Sequence, residues 1–481
     1  MNGKRVVVLG LGRAGRSLAR YLLSRGDEVL AYDDNPKAFE HEDVRQLKQD
    51  QSFHELSRLV DTKADFAIAS PGIAEESHAI AALRGQGIRV VDEIEFGYGI
   101  VGKRIVAVTG TNGKSTTTTL IGEMLKADSR DSFYGGNLAP GLPFSSALLM
   151  GPKEIYVLEV STFQLERADL FAPRIALLLN VAEDHLNRHG SMENYLALKL
   201  SIFRNQAPDD FAIINQDDPR IMSALHDPTS SSGAHRSAFK LKAQPLTFSL
   251  LDPKADAALV PPAADARTSG AGSLCLHGKP VIAVRDVRLP GRHNLANALA
   301  AMLACDCLKV APESMIRVLT NFAGLEHRLE FVRELCGVRW VNNSMCTNPA
   351  AAIQSLLTFD APVVLITGGR EKDLPIEDYL AQIKARAKAA ILFGENRARL
   401  HDGLQQIEFD RMQAAETLDQ AVQMAQREAR PGDVVLFSPG FASFDAFSDF
   451  QERGRAFKEL VVRLQAPTNH QTPTTNHDTG V

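Results

Sequence analysis

Gly110-Thr111-Asn112-Gly113-Lys114-Ser115-Thr116 is the stretch of the chain whose residue types and spacing point most clearly to chemistry. It follows the apolar run Arg104–Thr109 directly and leads directly into a helical pattern. Backbone N–H groups of such a loop converge on phosphate oxygens, and the helix start adds partial positive charge. A lysine at position 114 would reach the β- and γ-phosphates, and the Ser115 hydroxyl would face Mg2+. Only two residues lie between Gly110 and Gly113, fewer than in the common form of this loop. A glycine turn beside an ordinary surface lysine is the plain alternative, but the strand–loop–helix context favours a nucleoside triphosphate site. A second glycine-rich turn, Gly10-Leu11-Gly12-Arg13-Ala14-Gly15, also ends a strand pattern and opens a helix, with Asp33 and Asp34 closing the next strand. That is where a ribose-binding carboxylate sits in a dinucleotide fold, so this turn taken alone fits NAD, another phosphorylated ligand, or simple tightening of a βα turn. Two phosphate loops on one chain suggest a nucleotide-bearing substrate joined to triphosphate chemistry.

The elements that must position these loops alternate along nearly the whole chain. Apolar, β-branched runs at Lys4–Gly10, Glu28–Asp33, Asp65–Ser70, Arg104–Gly110, Ile155–Val160, Arg174–Asn180, Val338–Asn342, Pro362–Gly368 and Asp433–Ser438 predict strands. Their apolar character is continuous, as in strands covered on both faces of a parallel sheet. Helical patterns lie between them at Arg16–Arg25, Lys114–Lys126, Met192–Asn205, His293–Leu308 and Asn348–Phe359. The expected fold class is α/β with parallel sheets. Breaks near Val91–Gly102 and Phe322–Arg328 predict domains over 1–97, 98–324 and 325–465. Between Ser230 and Val287, Pro, Ala, Gly and Ser loosen the pattern, as in an excursion on the middle domain. Residues 466–481 read as a disordered tail with too little apolar surface to fold, despite His470 and His477 as conceivable metal ligands.

The composition limits the function classes. The chain has 481 residues, 44% hydrophobic and 23% charged, with a formal charge of −5. This excludes collagen-like and disordered chains and gives no reason to expect a nucleic-acid partner. At roughly 150 residues per domain the length suggests about three domains. No apolar run approaches the roughly 20 residues that span a bilayer, and Lys4-Arg5 leads into a strand pattern, not a cleavable leader. Cys275, Cys305, Cys307, Cys336 and Cys346 are odd in number and match no zinc or disulfide spacing. Reduced thiols in a cytoplasmic protein are the expectation.

Further motifs follow the phosphate loop: Gly135-Gly-Asn137, Leu158-Glu159-Val-Ser-Thr-Phe-Gln164, Asn180-Val-Ala-Glu-Asp-His185, Lys199, Leu289-Pro-Gly-Arg-His-Asn294, Glu326-His-Arg328 and Ser438-Pro-Gly-Phe-Ala-Ser443-Phe-Asp. In this order they resemble the Mur ligases, the ATP-dependent amide-forming enzymes of peptidoglycan precursor synthesis, and among those the glutamate-adding members. The similarity runs from about Lys4 to Leu464, weakest over 230–287. It implies a Rossmann-like N-terminal domain for a UDP-sugar, a central P-loop ATPase-like domain with a parallel sheet, and a Rossmann-like C-terminal domain for the amino acid. The first glycine loop is then turned from NAD to the UDP moiety, with Gly12 and Arg13 as contacts. The short phosphate loop becomes the family's own form, with Gly110 to Thr116 as its ATP-binding residues.

The implied substrates are UDP-N-acetylmuramoyl-L-alanine, glutamate (D-glutamate expected) and ATP, in a monomeric enzyme serving cell-wall synthesis, and so cell shape and division. Lys114, Glu159, His185 and Lys199 are the implied catalytic set, with Ser115, Glu159, His185 and Lys199 around two Mg2+ ions. The resemblance makes Lys199 a carbamylated ligand; by helix pattern alone it reads as an exposed lysine. Asn294 and Arg328 are carried over as ATP contacts, Asn137 as a UDP-sugar contact, and Thr347, Lys372, Ser443 and Phe450 as holders of the incoming amino acid. Asn294 could otherwise cap its helix, and Glu159 could pair with a surface lysine.

The chain departs from the family at Asn342-Asn343-Ser344-Met345-Cys346-Thr347-Asn348. Asn343 replaces a carboxylate expected near the ATP ribose, and Met345 replaces a lysine expected near the cleft. One cation fewer puts the handedness and identity of the amino acid in question. A ligase variant adding L-glutamate or using a modified precursor is the alternative. An NAD-dependent oxidoreductase built on Gly10–Gly15 leaves the second loop without a task, and a non-catalytic nucleotide-binding partner of an amidase subunit leaves Glu159, His185 and Lys199 without one.

Overall fold

The computed structural model describes residues 3–45, 47, 51–60, 62–138, 141–183, 186–226, 240–261, 272–289, 291–370 and 375–465. His185, Lys372 and the 466–481 tail with His470 and His477 lie outside the described residues. The chain divides into two compact units, Met1–Phe322 and Ala323–Val481.

The first unit holds two sheets. The N-terminal sheet is all parallel, with Ser52–Phe53, Glu28–Tyr32, Arg5–Leu9, Phe66–Ala69 and Val90–Asp92 as its strands in spatial order. The central sheet has nine strands: Lys279–Ala283, Ser273–Leu276, Ala257–Val260, Gln244–Ser249, Phe211–Asn215, Ile175–Leu178, Ile105–Thr109, Ile155–Glu159 and Ser132–Gly136. It is parallel from Ser132–Gly136 through Ala257–Val260 and antiparallel beyond. The loosened 230–287 stretch therefore supplies strands that extend this sheet at one edge. Of these strands Gln244–Ser249 and Ala257–Val260 pair in parallel, and Ala257–Val260, Ser273–Leu276 and Lys279–Ala283 pair antiparallel in turn, where a continuous apolar run is unnecessary.

Burial explains why the continuous runs become central strands. Every residue of Ile105–Thr109 is buried. Val106 and Val108 pack into one core with helices Lys114–Ala127 and Arg292–Cys307. Ile105 and Ala107 pack into the opposite core with Phe144 and Tyr195. Each such side chain contributes about 1.5–3 kcal/mol on leaving water, so a strand with apolar residues on both faces is stable only between two helical layers.

The second unit has one sheet in the order Glu330–Leu335, Val338–Asn342, Val434–Phe437, Val363–Thr367, Ala387–Leu392 and Met412–Ala414. Its first pair is antiparallel and the rest parallel. Loops from three neighbouring strands, after Asn342, Phe437 and Thr367, open at the same carboxyl edge. That is where ligands bind in open α/β sheets. Among the described residues all five cysteines are free thiols. No helix of the described residues is long and apolar enough to cross a membrane.

Candidate functional site

Strand Ile105–Thr109 pairs in parallel with Ile155–Glu159 on one side and Ile175–Leu178 on the other, with Val108 opposite Glu159 and Thr109 opposite Leu178. The register brings the phosphate loop, Glu159 and Asn180 to one carboxyl edge. Gly113, at φ +83°, is the residue before helix Lys114–Ala127. A Cβ there would lie 2.2 Å from Asn297 Oδ1, so conformation and space both demand glycine. Asn180 holds the loop tip: its Oδ1 accepts from Asn112 N at 2.8 Å and its Nδ2 donates to Asn112 O at 3.0 Å. Lys114 Nζ folds over the loop and donates to the carbonyls of Gly110 and Thr111, each at 2.8 Å. Ser115 and Thr116 are buried in the first helical turn.

Glu159 is only 3% exposed. Its Oε1 accepts from Asn137 Nδ2 at 3.1 Å, while Oε2 is buried and has no hydrogen-bond partner among the described residues. A buried carboxylate oxygen without a partner is costly, and a hard cation is the natural group to satisfy it. The residues present thus fit Mg2+, held by the Glu159 carboxylate and the Ser115 hydroxyl. Among the described residues no three His, Cys, Asp or Glu side chains gather as a metal site. Gly136, at φ +87°, lets the chain pass Glu159, since a Cβ there would meet Glu159 O at 2.6 Å. Asn137 N then donates to that carbonyl at 3.0 Å, so Asn137 is tied to Glu159 by backbone and side chain alike.

Lys199 corrects the pattern-based expectation of an exposed lysine: it is 2% exposed. It ends helix Met192–Leu200, and its ammonium lies 4.4 Å from the ring centroid of buried Tyr195, one turn earlier. Tyr195 OH shares a 3.2 Å hydrogen bond with Thr111 Oγ1 of the phosphate loop, and its ring stacks on His189. Loop and Lys199 are therefore linked through one aromatic ring.

Asn294 lies in the first turn of helix Arg292–Cys307, whose cap is Gly291, so Asn294 is not the cap. Its Oδ1 accepts from Asn297 Nδ2 at 3.3 Å, and Asn297 is the side chain pressed against Gly113. Asn297 and Tyr195 were not predicted as site residues. The Asn294-x-x-Asn297 spacing, one helix turn, was the available sign for the first.

In the N-terminal loop Gly12 and Arg13 are exposed. A Cβ at Gly15 would lie 1.8 Å from Gly10 O, so close packing of helix on strand requires this glycine. Asp33 accepts from Leu11 N at 2.6 Å and from Asn35 N at 2.9 Å, which makes it a tie between two loops. The unit also joins its two sheets directly. Buried Arg167 donates to Ser70 O and Ile73 O, each at 3.2 Å, and Ser145 Oγ donates to Ala14 O at 3.3 Å.

In the second unit, Thr347, Ser443 and Phe450 sit on the loops at the sheet's carboxyl edge and at the start of helix Phe450–Arg463. Arg453, fully buried, fastens these loops. It donates through Nε to Ser344 Oγ (3.1 Å), through Nη2 to Ser344 O (2.9 Å), and through Nη1 to Phe441 O (3.0 Å) and Ala442 O (3.1 Å). Burial pulls this guanidinium down to about 10. Arg328 lies on the segment just before strand Glu330–Leu335.

Three family models together cover most of the chain: a Mur ligase MurD-like N-terminal domain over 4–92, a Mur ligase middle domain over 108–305, and a Mur ligase glutamate ligase domain over 327–441. A protein of Pelotomaculum thermopropionicum named UDP-N-acetylmuramoylalanine–D-glutamate ligase is 37% identical over 96% of this chain and 98% of its own. One of the same name from Caldicellulosiruptor saccharolyticus is 35% identical over 96% and 99%. Among solved structures, the UDP-N-acetylmuramate–alanine ligase of Thermotoga maritima superposes with a TM-score of 0.56 at 19% identity, covering 95% of this chain and 99% of that one. The MurF ligase of the same organism, in complex with ADP, gives 0.56 at 18% identity over 96% of each chain. A phosphate loop over an unsatisfied glutamate, in a chain matched by all three domain models and nearly end to end by these relatives, has one family home: the chain belongs to the Mur ligases.

Proposed function

We propose that this chain joins D-glutamate to UDP-N-acetylmuramoyl-L-alanine with ATP, forming an amide, ADP and phosphate in peptidoglycan precursor synthesis. A carboxylate does not react with an amine at neutral pH, because oxide would have to leave. Attack of a carboxylate oxygen on the γ-phosphorus forms a P–O bond and releases ADP. The glutamate amine then adds to the acyl carbon, and the tetrahedral intermediate collapses by breaking the C–O bond to phosphate. The first step brings two anions together, so the site must supply positive charge and exclude water. The loop Gly110–Thr116 and Lys114 would hold the β- and γ-phosphates. Lys114 must leave the carbonyls of Gly110 and Thr111 to do so, contacts that a phosphate replaces with charged oxygens. Glu159 and Ser115 would hold Mg2+, which when bound would supply positive charge at the triphosphate. Asn294 would contact the adenine, Arg328 the γ-phosphate, Gly12, Arg13 and Asn137 the UDP-sugar, and Thr347, Lys372, Ser443 and Phe450 the amino acid.

The observation that carries this reading is the buried Glu159 oxygen, without a hydrogen-bond partner among the described residues, one strand from the phosphate loop. We also propose a second Mg2+ held by His185 and a carbamylated Lys199, supported by the burial of Lys199 beside a ring that touches the loop. Domain limits near residues 97 and 324, a monomeric state and a cytoplasmic location, where ATP is plentiful, complete the proposal. Met345, where the family pattern has a lysine, favours one second reading, L-glutamate as acceptor. The test is phosphate release from ATP with UDP-N-acetylmuramoyl-L-alanine and each of D-glutamate, L-glutamate and other amino acids. D-glutamate should support the fastest release; faster release with L-glutamate would replace the first reading by the second.

A further inference from the structure

Arg328 stands between two non-glycine residues in left-handed backbone, His327 at φ +64° and Leu329 at φ +44°. Such conformations cost free energy and persist only where surrounding contacts over-determine them. The contacts here come from the divergent loop after strand Val338–Asn342. Met345 N donates to His327 O at 3.0 Å, and Asn342 Nδ2 donates to His327 Nδ1 at 3.0 Å. On the other side of Arg328, Leu329 N donates to Asn343 Oδ1 at 3.1 Å. Asn343 Nδ2 donates in turn to Ser355 Oγ at 2.7 Å and to Ser438 Oγ at 3.1 Å. Ser355 belongs to helix Pro349–Leu356, and Ser438 follows strand Val434–Phe437.

We infer that Asn343 is the positioning residue for Arg328, an inference that rests on the reading of Arg328 as the γ-phosphate contact. The side chain is 5% exposed, and its oxygen and both amide hydrogens are taken up inside its own unit. Its side-chain hydrogen bonds go to Leu329 and to two serines. The replacement of a carboxylate by an amide at this position thus changes a clasp: the amide satisfies one donor and two hydroxyls without burying a charge.

Hydrogen exchange and kinetics of the full-length protein test this together. Asn343→Ala removes three buried side-chain hydrogen bonds, of which the one to Leu329 N–H bears on Arg328. It should speed amide exchange in the peptide over residues 325–332 and lower kcat, each by roughly 10-fold or more, with KM for glutamate nearly unchanged. Asn343→Asp keeps an oxygen for Leu329 N–H but buries a charge, and Ser355 Oγ already donates to Ala351 O at 2.8 Å, so it should slow the exchange only in part relative to Asn343→Ala and leave kcat below that of the parent. In an Arg328→Ala background, Asn343→Ala should cost little more, because the residue it positions is gone. Unchanged exchange overturns the clasp, and fully additive losses overturn its action through Arg328. A loss seen with ATP but not with 2′-deoxy-ATP overturns it in favour of ribose contact. An Arg328→Ala enzyme of full activity would instead sink the reading of Arg328, while the exchange result still judges the clasp.

Discussion

Glu159 sets function against stability at a single residue. Its buried Oε2 has no partner among the described residues, so Glu159→Gln should leave the melting temperature unchanged or raised while lowering turnover by roughly 100-fold or more. A marked loss of stability with normal turnover would contradict the assignment. Lys114→Ala should cut phosphate release by roughly 100- to 1,000-fold while calorimetry finds UDP-substrate affinity nearly unchanged, because the two glycine loops lie on different sheets of the first unit. The phosphate loop and Glu159 were legible because spacing and strand ends announce them. Lys199 was misjudged from its helix pattern, since burial at the last turn of a helix depends on what packs there, here Tyr195. Asn297 was missed for the same reason, its partner Gly113 being remote in sequence, whereas Asn343 was singled out but only as a position near the ATP ribose, since its hydrogen bonds to Leu329, Ser355 and Ser438 cannot be read from the sequence.

At the scale of elements, the nine strands read from continuous apolar runs all occur, with ends shifted by a residue or two where backbone pairing stops before the apolar pattern does. The strands Gln244–Ser249, Ala257–Val260, Ser273–Leu276 and Lys279–Ala283 were read only as short strand-like pieces and not as part of the central sheet, since their residues are only partly buried and carry no continuous apolar run. The turn before strand Glu330–Leu335 makes a pH prediction. Asn342 Nδ2 lies 3.0 Å from His327 Nδ1, and burial holds the imidazole below its usual range against the opposing pull of Glu326 and Glu330. The unfolded chain therefore takes up the proton first. This contribution is complete above about pH 6.5 and is lost as the pH falls from there toward the lower folded value. In scanning calorimetry the melting temperature should fall between about pH 7 and pH 5, and fall less in a His327→Gln variant. An equal shift in both proteins would remove His327 from the explanation.

At the scale of the molecule, the proposed function would put ATP chemistry on one compact unit and the amino-acid contacts on the other, so it predicts closure around Ala323–Glu326 when both ligands are bound. Small-angle scattering should find a smaller radius of gyration with an ATP analogue and the UDP substrate together than with either alone; no compaction would count against closure. The most direct test of the central claim follows one oxygen atom. UDP-N-acetylmuramoyl-L-alanine labelled with 18O in its carboxylate, turned over with ATP and D-glutamate, should yield phosphate carrying a single label, since the oxygen that attacks phosphorus leaves with it. Amide formed at a normal rate with unlabelled phosphate would contradict the account.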